Sequence, residues 1–152
     1  FDFMKGLHSN INQYTKSGSA PIKAAGRGET TIGIVFMHDA VKQAVKGFPV
    51  KVVAPAEGTG YEIGSMSIID GARNMKEAKA FYDWALSADA QNLALEVNAF
   101  QVPSNTGAKT SASAPDMSTI KLIDYDFKTY GSSATRKRLL KKWDDEVSVL
   151  AQ

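Results

Sequence analysis

Three short constellations carry side chains able to do chemistry. His38-Asp39 follows the apolar run Ile32-Gly33-Ile34-Val35-Phe36-Met37 without a gap. An imidazole beside a carboxylate can both donate and accept hydrogen bonds, which suits a polyhydroxylated small molecule. The same two residues also read as a plain helix start, with Asp39 as the cap and His38 a passive neighbour. Glu62 lies just after Gly58-Thr59-Gly60-Tyr61. It can accept hydrogen bonds from hydroxyl groups, or sit in water beside a turn, the commoner fate of a carboxylate. Ser19, preceded by Gly18, stands where a helix N-terminus offers free N–H groups to an anion such as phosphate; an ordinary N-cap is the plainer reading. Two acids and an imidazole also suit acid–base catalysis, but no nucleophile, oxyanion hole or metal cage accompanies them.

Other features read as structural. Arg136-Lys137-Arg138 and Lys141-Lys142 run directly into Asp144-Asp145-Glu146, the pattern of a solvated helix face more than of a nucleic-acid patch. Trp84 and Trp143 fall on apolar stripes and are expected in the core, whereas His8 falls off its stripe and is expected in water. Gly26-Arg27-Gly28 follows no strand and lacks the Gly-Lys-Ser/Thr ending of a phosphate loop. With no cysteine in the chain, disulfides, thiolate metal sites and a cysteine nucleophile are excluded. A net charge of +2, from 18 basic and 16 acidic residues, is too balanced to point to nucleic acid or a membrane surface.

The elements that must position these residues follow from periodicity. The 152 residues, 43% hydrophobic and 22% charged, suit one ordinary soluble domain. Phe1, Met4, Leu7, Ile11 and Tyr14 mark an amphipathic first helix. Ser19 and Pro21 open a second, closed by Gly26 and Gly28. The run at 32–37 predicts a buried strand, Ala40, Val41, Ala44 and Val45 a helix, and 49–53 a second strand, together a βαβ unit with a right-handed crossover. Alternation over 61–69 predicts a third strand. Asn74 and Ser87 are placed to cap two further helices, 106–115 is a small-residue loop, and Ser132 or Ser133 caps a last helix with the stripe Leu140, Trp143, Val147 and Leu150. In an open α/β sheet, ligands bind beyond the carboxyl ends of the strands, where His38 and Asp39 are expected.

An ordered set of segments resembles one family. Ser17-Gly18-Ser19-Ala20-Pro21, Arg27-Gly28-Glu29, the run ending in His38-Asp39, Phe48-Pro49-Val50-Lys51-Val52-Val53-Ala54-Pro55, Glu57-Gly58-Thr59-Gly60 and Leu86-Ser87-Ala88-Asp89-Ala90-Gln91 are similar to the ferric-iron-type periplasmic substrate-binding proteins of ABC transporters, and most to their hexose-phosphate-binding branch. Iron binders of that family carry a Tyr-Tyr pair where this chain has His38-Asp39. The resemblance implies an α/β fold of the type II periplasmic-binding-protein kind: the second lobe with its C-terminal helices, the first lobe being missing. It implies residues 1–70 as the α/β part of that lobe with a hinge return strand, and 71–152 as a helical region packing on the lobes. It further implies capture without chemistry of a hexose 6-phosphate or similar small polar anion, with His38, Asp39 and Glu62 on the sugar hydroxyls and a phosphate-holding Ser/Gly/Thr turn that would lie before Phe1; Ser19 remains a candidate from its place at a helix start alone. No cofactor and no metal are expected. The implied partners are an ABC permease in the membrane and the missing N-terminal lobe, with no nucleic acid, and the implied location is the periplasm or another extracytoplasmic space. The alternatives are a ferric-iron or other small-anion binder, an enzyme acting on sugar phosphates, and a sensory ligand-binding module.

Overall fold

The computed structural model describes residues 1–150. Seven α-helices follow one another along them: α1 (Asp2–His8), α2 (Ala20–Gly26), α3 (Met37–Val45), α4 (Met75–Ala85), α5 (Ala88–Glu96), α6 (Phe127–Tyr130) and α7 (Ser133–Glu146), with single 3₁₀ turns at Met117–Thr119 and Ser148–Leu150. Contacts group the chain into two compact units, Ser17–Lys121 and a second that joins Phe1–Lys16 to the stretch from Leu122 onward.

The helix starts are made by short polar side chains where the sequence offers them. Ser87 Oγ accepts from the Ala90 amide at 3.2 Å to open α5, and Ser132 Oγ accepts from the Thr135 amide at 3.2 Å to open α7. Asn74 and Ser19 occupy N-cap positions of α4 and α2 without a side-chain bond.

The expected strands are not paired into a sheet among the described residues. Segments 32–36, 50–55 and 60–69 run as extended backbone, and Met37 already belongs to α3. Alternating and β-branched residues select the extended conformation locally, but a ladder also requires a second backbone alongside. The amides of Ile32, Gly33, Ile34 and Val35 make no backbone hydrogen bond among the described residues. The βαβ unit expected from the sequence is thus an extended segment, a helix and another extended segment.

In the unit Ser17–Lys121, α2 packs on α3 and α4 on α5. Its buried residues include Ile22, Ala40, Val41 and Phe100. Segment 32–36 passes so close to α2 that a Cβ added at Gly33 would lie 2.7 Å from the Pro21 carbonyl oxygen. Beyond α5, Asn105 holds the following loop: its Nδ2 donates to the Leu86 carbonyl at 2.8 Å and its Oδ1 accepts from the Gly107 amide at 2.9 Å. Gln91 and Asn92 complete the clamp by accepting from the Asn105 and Lys109 amides at 2.9 and 2.7 Å. The α4 stripe does not face a core as expected. Trp84 is 50% exposed, and Phe81 beside it is exposed too.

In the other unit Val147 is fully buried, and α6 packs on α7. Lys5 on α1 donates to Glu146 at 2.6 Å, and Lys142 reaches the same carboxylate at 3.0 Å. The first helix ends at His8, short of Ile11 and Tyr14, because the chain folds back. The His8 imidazole lies 2.9 Å from the Tyr14 hydroxyl and stacks on its ring, and that ring meets Trp143 edge-on at 4.9 Å. His8, expected in water, is therefore half-buried and partnered.

Candidate binding site

Phe36 ends the extended segment and serves as the N-cap of α3, with φ −63° and ψ 136°. Its carbonyl accepts from the amides of Asp39 and Ala40 at 3.1 and 3.2 Å. His38 and Asp39 thus lie in the first helical turn instead of projecting from a strand end. The Asp39 carboxylate makes no capping bond, and its position in the first turn suits the positive end of the helix dipole. His38 Nε2 is 3.9 Å from Asp39 Oδ2, beyond hydrogen-bonding reach. The two side chains are 29% and 26% exposed. They are held in place and reachable, with hydrogen-bonding capacity to spare.

The Phe36 ring organises the neighbourhood. It stacks on the His38 imidazole, centroids 5.5 Å apart and planes within 16°. A Cβ added at Gly18 would touch the same ring at 3.7 Å. Ser19, half-buried with no side-chain cap bond, follows Gly18 directly. One aromatic ring therefore joins the turn at 18–19 to the His38-Asp39 pair. Glu62 is exposed on an extended segment and makes no hydrogen bond or ion pair with the other three among the described residues.

Three features escaped sequence reasoning. Thr30 Oγ1 is buried without a hydrogen-bond partner, and no local pattern distinguishes it. Arg27 and Glu29 bind each other through two hydrogen bonds, 2.6 and 3.0 Å, across Gly28 at φ +75°. That pairing raises the guanidinium pKa and holds the carboxyl below its usual range. The spacing of opposite charges around a glycine was the available signal. The third is the placement of Phe36, which reads in sequence only as part of an apolar run. Among the described residues no group of three or more His, Asp or Glu is gathered where it could hold a metal ion, and no helix is long and apolar enough to cross a membrane.

Residues 1–121 match the family of bacterial extracellular solute-binding proteins. The chain belongs to that family. The periplasmic binding protein AfuA from Actinobacillus pleuropneumoniae, solved with exogenous fructose-6-phosphate bound, superposes with a TM-score of 0.90 at 52% identity, over 97% of this chain and 46% of AfuA. The periplasmic binding protein P5PA superposes with a TM-score of 0.88 at 40% identity, over 97% of this chain and 47% of that one. An uncharacterized protein of Haemophilus influenzae is 49% identical over 150 residues, 98% of this chain and 43% of its own length. The chain thus spans less than half the length of each of these relatives. Its fold is part of the periplasmic-binding-protein fold, as the family resemblance implied.

Proposed function

We propose that this chain forms one wall of an interlobe cleft that captures a hexose 6-phosphate in the periplasm and delivers it to the permease of an ABC importer, without chemical conversion. The observation that supports this most is the half-buried His38-Asp39 pair, free of hydrogen bonds to other described residues, in a chain 52% identical to the matching part of a protein solved with fructose-6-phosphate. An imidazole and a carboxylate placed side by side match adjacent sugar hydroxyls, which need both an acceptor and a donor. In this reading Glu62 accepts from a further hydroxyl and Ser19 lies toward the phosphate. Residues 1–70 belong to the ligand-binding lobe with its hinge return strand, and 71–152 form the helical region that packs on the lobes. The other wall comes from a first lobe, and closure is the hinge motion of one lobe against the other. Ferric iron is the weaker reading, because hard anionic phenolates do not stand at 38–39.

Isothermal titration of the full-length protein with hexose 6-phosphates, free hexoses and Fe(III) tests the proposal. Tight binding of a hexose 6-phosphate alone is expected. Replacing His38, Asp39 or Glu62 by Ala should each weaken it by about 1–3 kcal/mol, the cost of leaving a buried polar group of the ligand unpaired. Unchanged affinity in all three variants would sink the site, and turnover of a hexose 6-phosphate would sink the non-enzymatic reading. This chain by itself should bind weakly or not at all.

A further inference from the structure

Between the extended segment 60–69 and α4 the chain turns through Ile69-Asp70-Gly71-Ala72. The Ala72 amide donates to the Ile69 carbonyl at 3.1 Å, and Gly71 has φ +69°. A positive φ at the third residue is the type II pattern, which glycine adopts without strain. Asp70 and Gly71 are both exposed. Among the described residues the Asp70 carboxylate makes no hydrogen bond or ion pair, and the Gly71 amide donates to no carbonyl. A Cβ built on Gly71 would meet nothing within 4 Å, so no other part of the chain crowds this residue. No other aspartate and no asparagine of the chain precedes a glycine. The other aspartates lie in helices, or like Asp116 and Asp126 accept from a backbone amide, or like Asp124 precede a bulky side chain. The residues that flank the pair, Ile69 and Ala72, line an apolar groove together with Ile68, Ala78 and Phe81.

We propose that Asp70-Gly71 is a site of spontaneous covalent modification, at which the aspartate isomerises to isoaspartate. The Gly71 nitrogen attacks Cγ of the Asp70 carboxylic acid. An N–C bond forms, the bond from Cγ to the hydroxyl oxygen breaks, and that hydroxyl leaves as water with the amide proton. The product is a five-membered succinimide. Water then adds to one of its two carbonyls. Opening at Cγ restores aspartate; opening at the main-chain carbonyl leaves the chain running through Cβ and Cγ. Water is the only co-reactant. Two features of the turn favour ring closure. The attacking nitrogen belongs to the one residue type without a Cβ to block its approach. Both reacting groups are exposed and committed to no other partner. Isoaspartate adds a methylene to the main chain between Ile69 and Ala72 and frees the α-carboxylate of Asp70 beside the groove. Net charge is unchanged, but the turn bond from Ala72 to Ile69 must now span a longer backbone. The proposal is independent of the hexose-phosphate reading and stands whether or not that ligand is correct.

Ageing the folded full-length protein in warm, mildly acidic buffer tests it, with the tryptic peptide covering 52–73 followed by chromatography and mass spectrometry. A second form of this peptide is expected, equal in mass, different in retention, and resistant at residue 70 to the endoproteinase that cuts before aspartate. It should accumulate at least about tenfold faster than isoaspartate at any other aspartate of the chain. Gly71→Ala places a methyl group beside the attacking nitrogen and should slow the conversion at least about tenfold. Asp70→Asn leaves the turn glycine untouched and should react faster at neutral pH, losing ammonia and gaining the mass of deamidation. Conversion at Asp70 no faster than at the other aspartates overturns the proposal, even where a short peptide of the same sequence converts. An Asp70→Asn variant that keeps its amide, or a rate indifferent to Gly71→Ala, also overturns it.

Discussion

The Asn105 side chain makes two hydrogen bonds, one as donor and one as acceptor, and its truncation can be worked through bond by bond. Asn105→Ala removes the donor to the Leu86 carbonyl, the C-cap of α4, and the acceptor for the Gly107 amide. A net protein hydrogen bond contributes about 0.5–1.5 kcal/mol. Both freed groups lie near solvent, so water replaces part of the loss and about 1–2 kcal/mol is expected in total. The neighbouring bonds, Asn105 amide to Gln91 and Lys109 amide to Asn92, depend on the loop staying in place. Hydrogen exchange at the Asn105, Gly107 and Lys109 amides should therefore quicken by about 5–30-fold, the population change that 1–2 kcal/mol produces. Asn105→Asp separates the two roles: it keeps an acceptor for Gly107 and loses the donor to Leu86. Gly107 should stay protected in that variant while the end of α4 frays. If Gly107 exchange in Asn105→Ala changes by less than about twofold, the clamp does not hold the loop and the bond-by-bond account fails.

Two glycines should respond with opposite sign. Gly33→Ala drives a Cβ to 2.7 Å from the Pro21 carbonyl oxygen, a backbone atom that cannot swing aside, so denaturant titration should show a loss of about 1–3 kcal/mol. Gly6→Ala, in open space on α1, should instead gain about 0.5–1 kcal/mol from helix propensity in the same assay. Acid should loosen the unit that holds α1 and α7. The Lys5 ammonium, and after it Lys142, holds the Glu146 carboxyl below the usual carboxylate range. A depressed pKa gives stability that is complete above the unfolded-state value, about 4.3 for Glu, and is lost as pH falls through the lower folded value. Melting curves across that range should fall with acid, and Glu146→Gln should flatten the fall; an unchanged slope in the variant would contradict the assignment.

Local signals in the sequence were legible where local chemistry decides structure. Ser87 and Ser132 cap the helices expected of them, because a cap acts within three residues; Ser19 stands at the N-cap of α2 with Pro21 in the first turn, but without a side-chain bond. The strands were legible only as extended backbone, since pairing is decided by a partner at long range. The outward stripe of α4 was unreadable for the same reason: periodicity says which side chains share a face, and Phe81 and Trp84 do, but not what that face meets. His8 was misplaced because the fold-back that brings Tyr14 to it follows no helical period. At the candidate site, the adjacency of His38 and Asp39 was given by sequence, their helical placement was not, and the ring of Phe36 linking them to the turn at Gly18 is a tertiary fact.

The two tryptophans fall one in each unit, and that distribution makes the protein its own optical reporter. Trp84 stands half in water next to Phe81, which lines the apolar groove, and Trp143 is held edge-on against Tyr14. With Trp143→Phe the remaining emission comes from beside the groove and should shift blue when anything settles there. With Trp84→Phe it comes from the other unit, so each half of the chain can be watched unfolding by its own light, without a dye.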